Sequence, residues 1–545
     1  MSEQASGHVA MGALKQAGVE HLFTLSGGHI FPLYEGCRDH DVRIVDTRHE
    51  QAAAFAAEGL GKLTRRPGVA ALTAGPGVTN GVSAVASARF GGSPMLVLGG
   101  RAPHGTWGRG GLQEIDHVAF MAPLTKQAST AAEPAEVPGT VLDALHTAAT
   151  PGRGPTFVDI PMDTIFTPTA DDALPTWTEP DAPPVDTDAV RRAAGHLATA
   201  RHPVIVAGTD VWLSDAVDAL RDLVETVHVP TITNGMGRGT LPADHELSFS
   251  WARKAAFTDA DLVLVVGTPL DFRLGFGAFP GGAPVIHVVD TPDQVAEHAQ
   301  PLEGVAGHLP EVLRGLAEGA GGPTGELAEA RSAWSARLRE VETAARSGQE
   351  ELLGSASAPI HPARVYGELR KVLDRDAVVI GDGGDFVSYA GKYIDAYTPG
   401  CWLDPGPYGC LGTGMGYSMA ARLAHPDRQV VTLLGDGAAG FGLMDVETLV
   451  RQELPVVMVM GNNGIWALEK YPMQQVYDGW DVAADLQPGL AYDQVVSALG
   501  GAGETVTDPE QLGAAFARAF DAGVPYLVNV LTDPAVAYPR STALA

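Results

Sequence analysis

Basic residues are scarce: 36 Lys and Arg stand against 65 Asp and Glu, leaving a formal charge of −29 over 545 residues. That sign excludes a general nucleic-acid binder and a protein drawn electrostatically to anionic lipid. Any phosphate it grips must be met by backbone amides or a metal ion. Cysteine is nearly absent, and Cys37, Cys401 and Cys410 are too irregularly spaced for a disulfide framework or a zinc site, which fits a reducing cytoplasm. No run approaches the roughly 18 apolar residues of a membrane span. The opening MSEQASGHVAMGALKQAG has neither the basic nor the apolar region of an export signal. A soluble cytoplasmic protein with no nucleic-acid or membrane partner is expected. Self-similarity at a solenoid's period of roughly 20–50 residues is also missing.

What is present is an ordinary globular balance, 45% hydrophobic and 19% charged. At roughly 100–200 residues per domain, the length suggests about three domains. Short apolar runs separated by helix-length segments read as parallel strands with crossover helices, buried on both faces. The first series holds HLFTL, RIVDT, GVAALTAG, PMLVLGG and PTFVDIP. After the Pro- and Asp-rich TPTADDALPTWTEPDAPPVD, a linker, come PVIVAG, VPTIT, ADLVLVVG and APVIHVVD. A Gly-rich break at EGAGGPTGE and the charged helical segment EARSAWSARLREVETAARS precede AVVIGDGG, QVVTLLGDG, PVVMVMGNN and PYLVNVL. The expected fold is therefore α/β, three tandem domains (1–165, 186–320 and 355–545), each a mainly parallel sheet flanked by helices.

The chemistry concentrates in LLGDGAAGFGLMDVETLVRQELPVVMVMGNN. With QVVTLL and PVVMVM as strands and GLMDVETLVRQEL as the helix between them, Asp436 and Asn463 fall just past the carboxyl ends of two strands. Ligands bind at that edge of open parallel sheets. One carboxylate and one amide oxygen suit Mg²⁺, which takes few protein ligands and completes its shell with water and substrate phosphates. Gly435 and Gly437 allow the backbone to approach such a phosphate.

The glycine-flanked Asp436 followed by Asn463 resembles the signature of thiamine-diphosphate (ThDP) enzymes. The resemblance spans nearly the whole chain, in the order pyrimidine-binding domain, middle domain and diphosphate-binding domain. It implies that Asp436, Asn463 and the Ile465 carbonyl ligate Mg²⁺, which anchors ThDP. In DTRHEQAAAF it implies that Glu50, just past RIVDT, is the acid that shares a proton with the cofactor's aminopyrimidine. TLSGGHIFPLY resembles the family's glycine pair, Gly27 and Gly28, and TAGPGVTNGV its cofactor-closing loop, with Gly75, Pro76, Gly77, Thr79 and Asn80. Gly383, Gly412, Ala438 and Ala439 join the implied cofactor shell. In GGLQEIDHVAF, Gln113 matches a glutamine facing the reaction centre. CLGTGMGYSMAA departs from the family's LGTMG: direct alignment sets Gly414 where a large apolar residue bends the cofactor, with Met415 one position late.

The branch it resembles contains acetolactate synthase, oxalyl-CoA decarboxylase and 2-hydroxyacyl-CoA lyase. RHEQ, GPGVTN and LQEIDH resemble the synthase, whereas GFGLMDVETL and NNGIW resemble the lyases. GTPLDFRLGFG resembles the synthase's FDDR segment, which implies that Arg273 binds a carboxylate, and Trp466 is expected to face substrate as well. VIHVVDTPD ends on Asp290, where relatives hold the nucleotide part of FAD, ADP or CoA. The favoured expectation is decarboxylation of a 2-oxo acid such as pyruvate and condensation with a second carbonyl. Cleavage of a 2-hydroxyacyl-CoA is the alternative, and a non-catalytic ThDP-binding paralogue the remote one. Relatives build each site from two subunits, so a homodimer or homotetramer with intersubunit sites is expected.

Overall fold

In the computed structural model, which describes residues 4–170 and 176–538, three parallel sheets follow one another along the chain. The linker's residues 171–175 lie outside the described part. The first sheet runs, in spatial order, Arg43–Asp46, His21–Thr24, Gly68–Leu72, Met95–Arg101, Pro155–Pro161 and Gln127–Thr130. The middle sheet has five strands, Thr231–Thr233, Pro203–Ala207, Leu262–Val266, Val285–Val289 and Glu303–Ala306. The last has six: Trp402–Leu403, Val378–Asp382, Val430–Gly435, Val457–Asn462, Tyr526–Leu531 and Ala502–Val506. Numbered along the chain, the first and last sheets share the order 2-1-3-4-6-5, and the middle sheet is 2-1-3-4-5. In each, the order reverses beside the first strand, which opens a crevice at the carboxyl edge.

The inner strands Gly68–Leu72, Pro203–Ala207, Leu262–Val266 and Val378–Asp382 are wholly buried, as apolar runs covered by helices on both faces must be. The helix Gly325–Ser347 belongs to the middle layer: Trp334 and Leu338 enter its core, and the buried Arg331 donates to the carbonyls of Leu197, Ala200 and Val227.

One helix pair joins the first domain to the last. Glu50–Thr64 is Ala-rich, so it pays little side-chain entropy, and the His49 ring accepts from Gln51 N at its start. It packs along Gly414–Ala424 of the last domain with the helix starts together. The approach needs glycine on both sides. A Cβ at Gly59 would lie 2.8 Å from Tyr417 Cδ1, and one at Gly416 2.7 Å from the Ala52 carbonyl oxygen. Further along, the fully buried Lys62 Nζ sits 2.9 Å from Glu58 and 3.0 Å from Tyr417 Oη. That buried pair locks the register, because removing either charge leaves the other desolvated.

Candidate active site

At the switch point of the last sheet, Gly381 pairs Leu433 and Gly435 pairs Gly461, so Asp436 and Asn463 emerge side by side. Asp436 is 3% exposed. Its Oδ2 accepts from Gly464 N at 2.9 Å, and Asn463 Oδ1 accepts from Ile465 N at 3.2 Å. Burial pushes the Asp436 carboxyl up to about 6 against the pull of these backbone amides. Gly383, Gly435, Asp436, Gly437, Ala438, Asn463, Ile465 and Trp466 line one cavity of about 410 Å³. Ala439 is buried next to it in sequence.

The charges of that lining are its telling feature. Among the described residues it contains Asp385, Asp436 and Glu469 and no Lys, Arg or His. Asp436 and Asn463 bring one carboxylate and one amide oxygen to the cavity beside the Ile465 backbone, a donor set that fits Mg²⁺. Among the described residues no group of three or more His, Cys, Asp or Glu could hold a metal by itself. Gly435 faces open space, whereas a Cβ at Gly437 would lie 2.5 Å from the Trp466 ring. Gly435, Gly437 and Gly440 have the spacing of a dinucleotide-binding glycine run. The following helix, however, is a single turn, Asp436–Ala439, and Asp436 sets a carboxylate where that fingerprint needs bare amides.

On the first domain, Glu50 is 8% exposed and its Oε2 accepts from Asn80 Nδ2 at 3.0 Å. A Cβ on Gly77 would be 3.7 Å from Glu50 Oε1. Pro76–Asn80 forms a short helix, with Thr79 exposed and its hydroxyl donating to the Pro76 carbonyl. Gly27 packs on Thr73, leaving 2.3 Å for any Cβ, while Gly28 faces open space. Gln113, at φ 61°, lies directly on Gly75, whose Cβ position is 2.8 Å from that of Gln113. His29 Nδ1 sits 3.3 Å from Thr73 Oγ1, and burial, then the nearby His117, lower its pKa.

The first and last domains touch at Leu411–Gly412, although neither Glu50 nor Gln113 lines the cavity around Asp436. Gln51 Nε2 donates to the Leu411 carbonyl at 3.3 Å, and Arg48 N donates to Asp445 Oδ1 at 2.7 Å. Leu411 lines the cavity below Asp436. Met415 does not; it is 3% exposed and packs beneath Gly442. Gly414 starts the helix with its N–H 2.8 Å from Asp382, which also takes Gly412 N at 2.9 Å. Within CLGTGMG the apolar side chain that lines the cavity is thus Leu411, three positions before the site that direct alignment indicates. Two residues escaped the sequence reading here. Asp382 had a signal, since GDG occurs at the ends of two neighbouring strands, at Gly381–Gly383 and Gly435–Gly437. Leu411 had only its place before a glycine.

Arg273 is not brought to this cavity. Its guanidinium is paired with Asp271 at 2.7 Å, and it lines a second cavity of about 260 Å³ at the switch point of the middle sheet. Phe272 turns into the first cavity instead. The second cavity gathers Lys62, Arg89, Arg153 and Arg273 beside Asp210, Asp293 and Asp404. Asp290 lies behind it, 2% exposed, accepting from Ser214 Oγ at 2.6 Å and Arg153 Nη1 at 3.3 Å. Burial raises its pKa, and that of neighbouring Asp210 to about 7.

Comparison with known proteins completes the description. Residues 5–120 match the model of the thiamine pyrophosphate enzyme N-terminal TPP binding domain, 190–316 that of the central domain, and 382–530 that of the C-terminal TPP binding domain. The chain is 53% identical to the acetolactate synthase large subunit IlvG of Mycobacterium tuberculosis, covering 99% of this chain and 98% of the relative. It is 32% identical to 2-hydroxyacyl-CoA lyase 2 of Homo sapiens over 92% of this chain and 84% of that one. Identity to the 2-hydroxyacyl-CoA lyase of Oryza sativa subsp. japonica is 30%, over 96% and 94%.

Proposed function

The chain belongs to the thiamine pyrophosphate (ThDP) enzyme family, and from that premise we propose that it is a Mg²⁺-dependent carboligase of the acetolactate synthase type. It decarboxylates a 2-oxo acid such as pyruvate and joins the remaining fragment to a second carbonyl compound. The observation that carries the cofactor assignment is the meeting of Asp436, Asn463 and Ile465 with Gly383, Gly435 and Gly437 in one cavity, an oxygen donor set for a cation beside backbone open to a diphosphate. The full-length identity of 53% favours the synthase reaction.

Asp436, Asn463 and the Ile465 carbonyl hold the Mg²⁺, and the amides around Gly383, Gly435 and Gly437 receive the diphosphate. Leu411, which lines the cavity, would brace the cofactor there. Bound there, ThDP supplies a carbon acid that adds to a carbonyl and draws in the electrons of the breaking C–C bond. Glu50 presents its nearly buried carboxyl to the aminopyrimidine, and Asn80 fixes that carboxyl through Oε2. Gln113, resting on Gly75, faces the substrate. Trp466, pressed on Gly437, shapes the acceptor side of the cavity. The exposed Phe31, Leu112, Phe441 and Met444 beside these segments support a homodimer or larger assembly that completes the site between subunits.

A second reading, cleavage of a 2-hydroxyacyl-CoA, is favoured by Arg89, Arg153 and Arg273, which line the middle cavity beside Asp210, Asp293 and Asp404. The same arginines would suit the phosphates of FAD or ADP in the synthase reading. Product analysis with ThDP and Mg²⁺ separates the two. Acetolactate and CO₂ from pyruvate support the synthase. Formyl-CoA and a free carbonyl compound from a 2-hydroxyacyl-CoA, with no 2-oxo acid condensation, reject it.

A further inference from the structure

Behind the Gly75 turn runs a buried polar chain that the reaction scheme leaves unused. Gly75 N–H donates to His117 Nε2 at 2.9 Å, so that nitrogen carries no proton. The ring proton therefore sits on Nδ1, 3.2 Å from Asp159 Oδ2. Asp159 also accepts from Thr130 Oγ1 at 2.5 Å and Arg101 Nη1 at 3.0 Å. Neither the His117 nor the Asp159 side chain has exposed surface. Phe120 and Phe157 close on the imidazole edge-on, and Arg101 stacks over Trp107 at 3.9 Å. Asp159 and Arg101 already compensate one another, so the chain is balanced with a neutral ring.

We propose that His117 is a positioning residue, held by Asp159 as the Nδ1–H tautomer so that its bare Nε2 fixes Gly75 and, through it, Gln113 and the turn that orients Glu50. The links are continuous. Gly75, at φ 62°, carries Gln113 in direct contact on its Cα. The Gly75 carbonyl accepts from Thr79 N at 3.0 Å, opening the turn that ends at Asn80, whose amide donates to Glu50 at 3.0 Å. His117 touches neither Glu50 nor Gln113 directly; it acts through Gly75. In the other tautomer, or with a second proton, an Nε2–H would oppose the Gly75 N–H and release the turn. This assignment rests on the roles proposed for Glu50 and Gln113.

The test uses the full-length enzyme with ThDP and Mg²⁺, and measures kcat and KM for pyruvate, ThDP affinity by cofactor-dependent fluorescence quenching, and Tm. Asp159→Asn permits the wrong tautomer while keeping the shape, and is expected to lower kcat about 10- to 100-fold with KM and ThDP affinity changed less than about threefold. His117→Leu fills the volume without an acceptor and should match that loss. His117→Gln restores an acceptor towards Gly75 and a donor towards Asp159 at the same spacing, and should recover most of the turnover. Undiminished kcat in Asp159→Asn and His117→Leu overturns the proposal, as does a His117→Gln variant as slow as His117→Leu. Glu50→Gln, measured alongside, separates the two hypotheses: full turnover there refutes the role of Glu50, whatever His117 does.

Discussion

Replacing Gly437 by Ala tests the geometry of the cavity wall directly. The added Cβ would stand 2.5 Å from Trp466 Cζ3 and 2.6 Å from Cη2. Carbon atoms are best accommodated at roughly 3.5–4.0 Å, so the ring must retreat by about 1 Å. Overpacking of this size costs typically about 1–3 kcal/mol. If Trp466 must hold its place for the acceptor to bind, that energy appears as a loss of about 5- to 150-fold in kcat/KM for the acceptor. The assay is initial-rate condensation under saturating ThDP and Mg²⁺, with Tm as a control. Trp466→Leu removes the ring, so Gly437→Ala added to that variant should cost little further, a coupling of more than about 1 kcal/mol. A Gly437→Ala enzyme with unchanged kcat/KM would refute the reasoning. So would an equal Gly437→Ala cost with and without the tryptophan, which would place the strain elsewhere.

Further expectations are simpler. Glu50→Gln should bind ThDP normally yet lose about 10²- to 10⁴-fold in turnover, the usual contribution of a positioned acid, read by calorimetry and steady-state kinetics. Asp436→Ala should abolish Mg²⁺-dependent ThDP binding. Chelation of Mg²⁺ in the unaltered enzyme should reproduce that loss and added Mg²⁺ reverse it; cofactor binding indifferent to both would contradict the Mg²⁺ site at Asp436 and Asn463. Leu411→Ala should weaken turnover through a poorly braced cofactor with little change in Tm, while Met415→Ala, a core truncation, should cost about 2–5 kcal/mol of stability instead. The opposite pattern would return the bracing role to Met415.

The inner strands were legible in the sequence because burial on both faces demands unbroken apolar runs. Those not foreseen in the three sheets, Gln127–Thr130, Glu303–Ala306, Trp402–Leu403 and Ala502–Val506, all lie at sheet edges. One side of an edge strand has no neighbour, so QAST or EGVA needs no such run. Asp436 and Asn463 were readable since their positions follow from where apolar runs stop. Leu411 was not, because its role depends on how two helices from different domains set the loop between Cys410 and Gly414. Arg273 shows the same limit: its neighbour Phe272 reaches the cofactor cavity while Arg273 is drawn to Asp271 and the middle cavity. Residue order says nothing about which of two adjacent side chains faces which crevice.

The shared strand order of the first and last domains has a consequence for how the chain reaches its native state. Two segments of one polypeptide compete to build sheets of the same topology, so a strand released late can dock in the homologous slot of the wrong domain. The long separation between them, filled by an independently wound middle domain, lets the N-terminal copy close before the C-terminal one is synthesised. Folding in the order of synthesis is thereby protected, whereas refolding of the whole chain from denaturant exposes both copies at once and should yield less active enzyme.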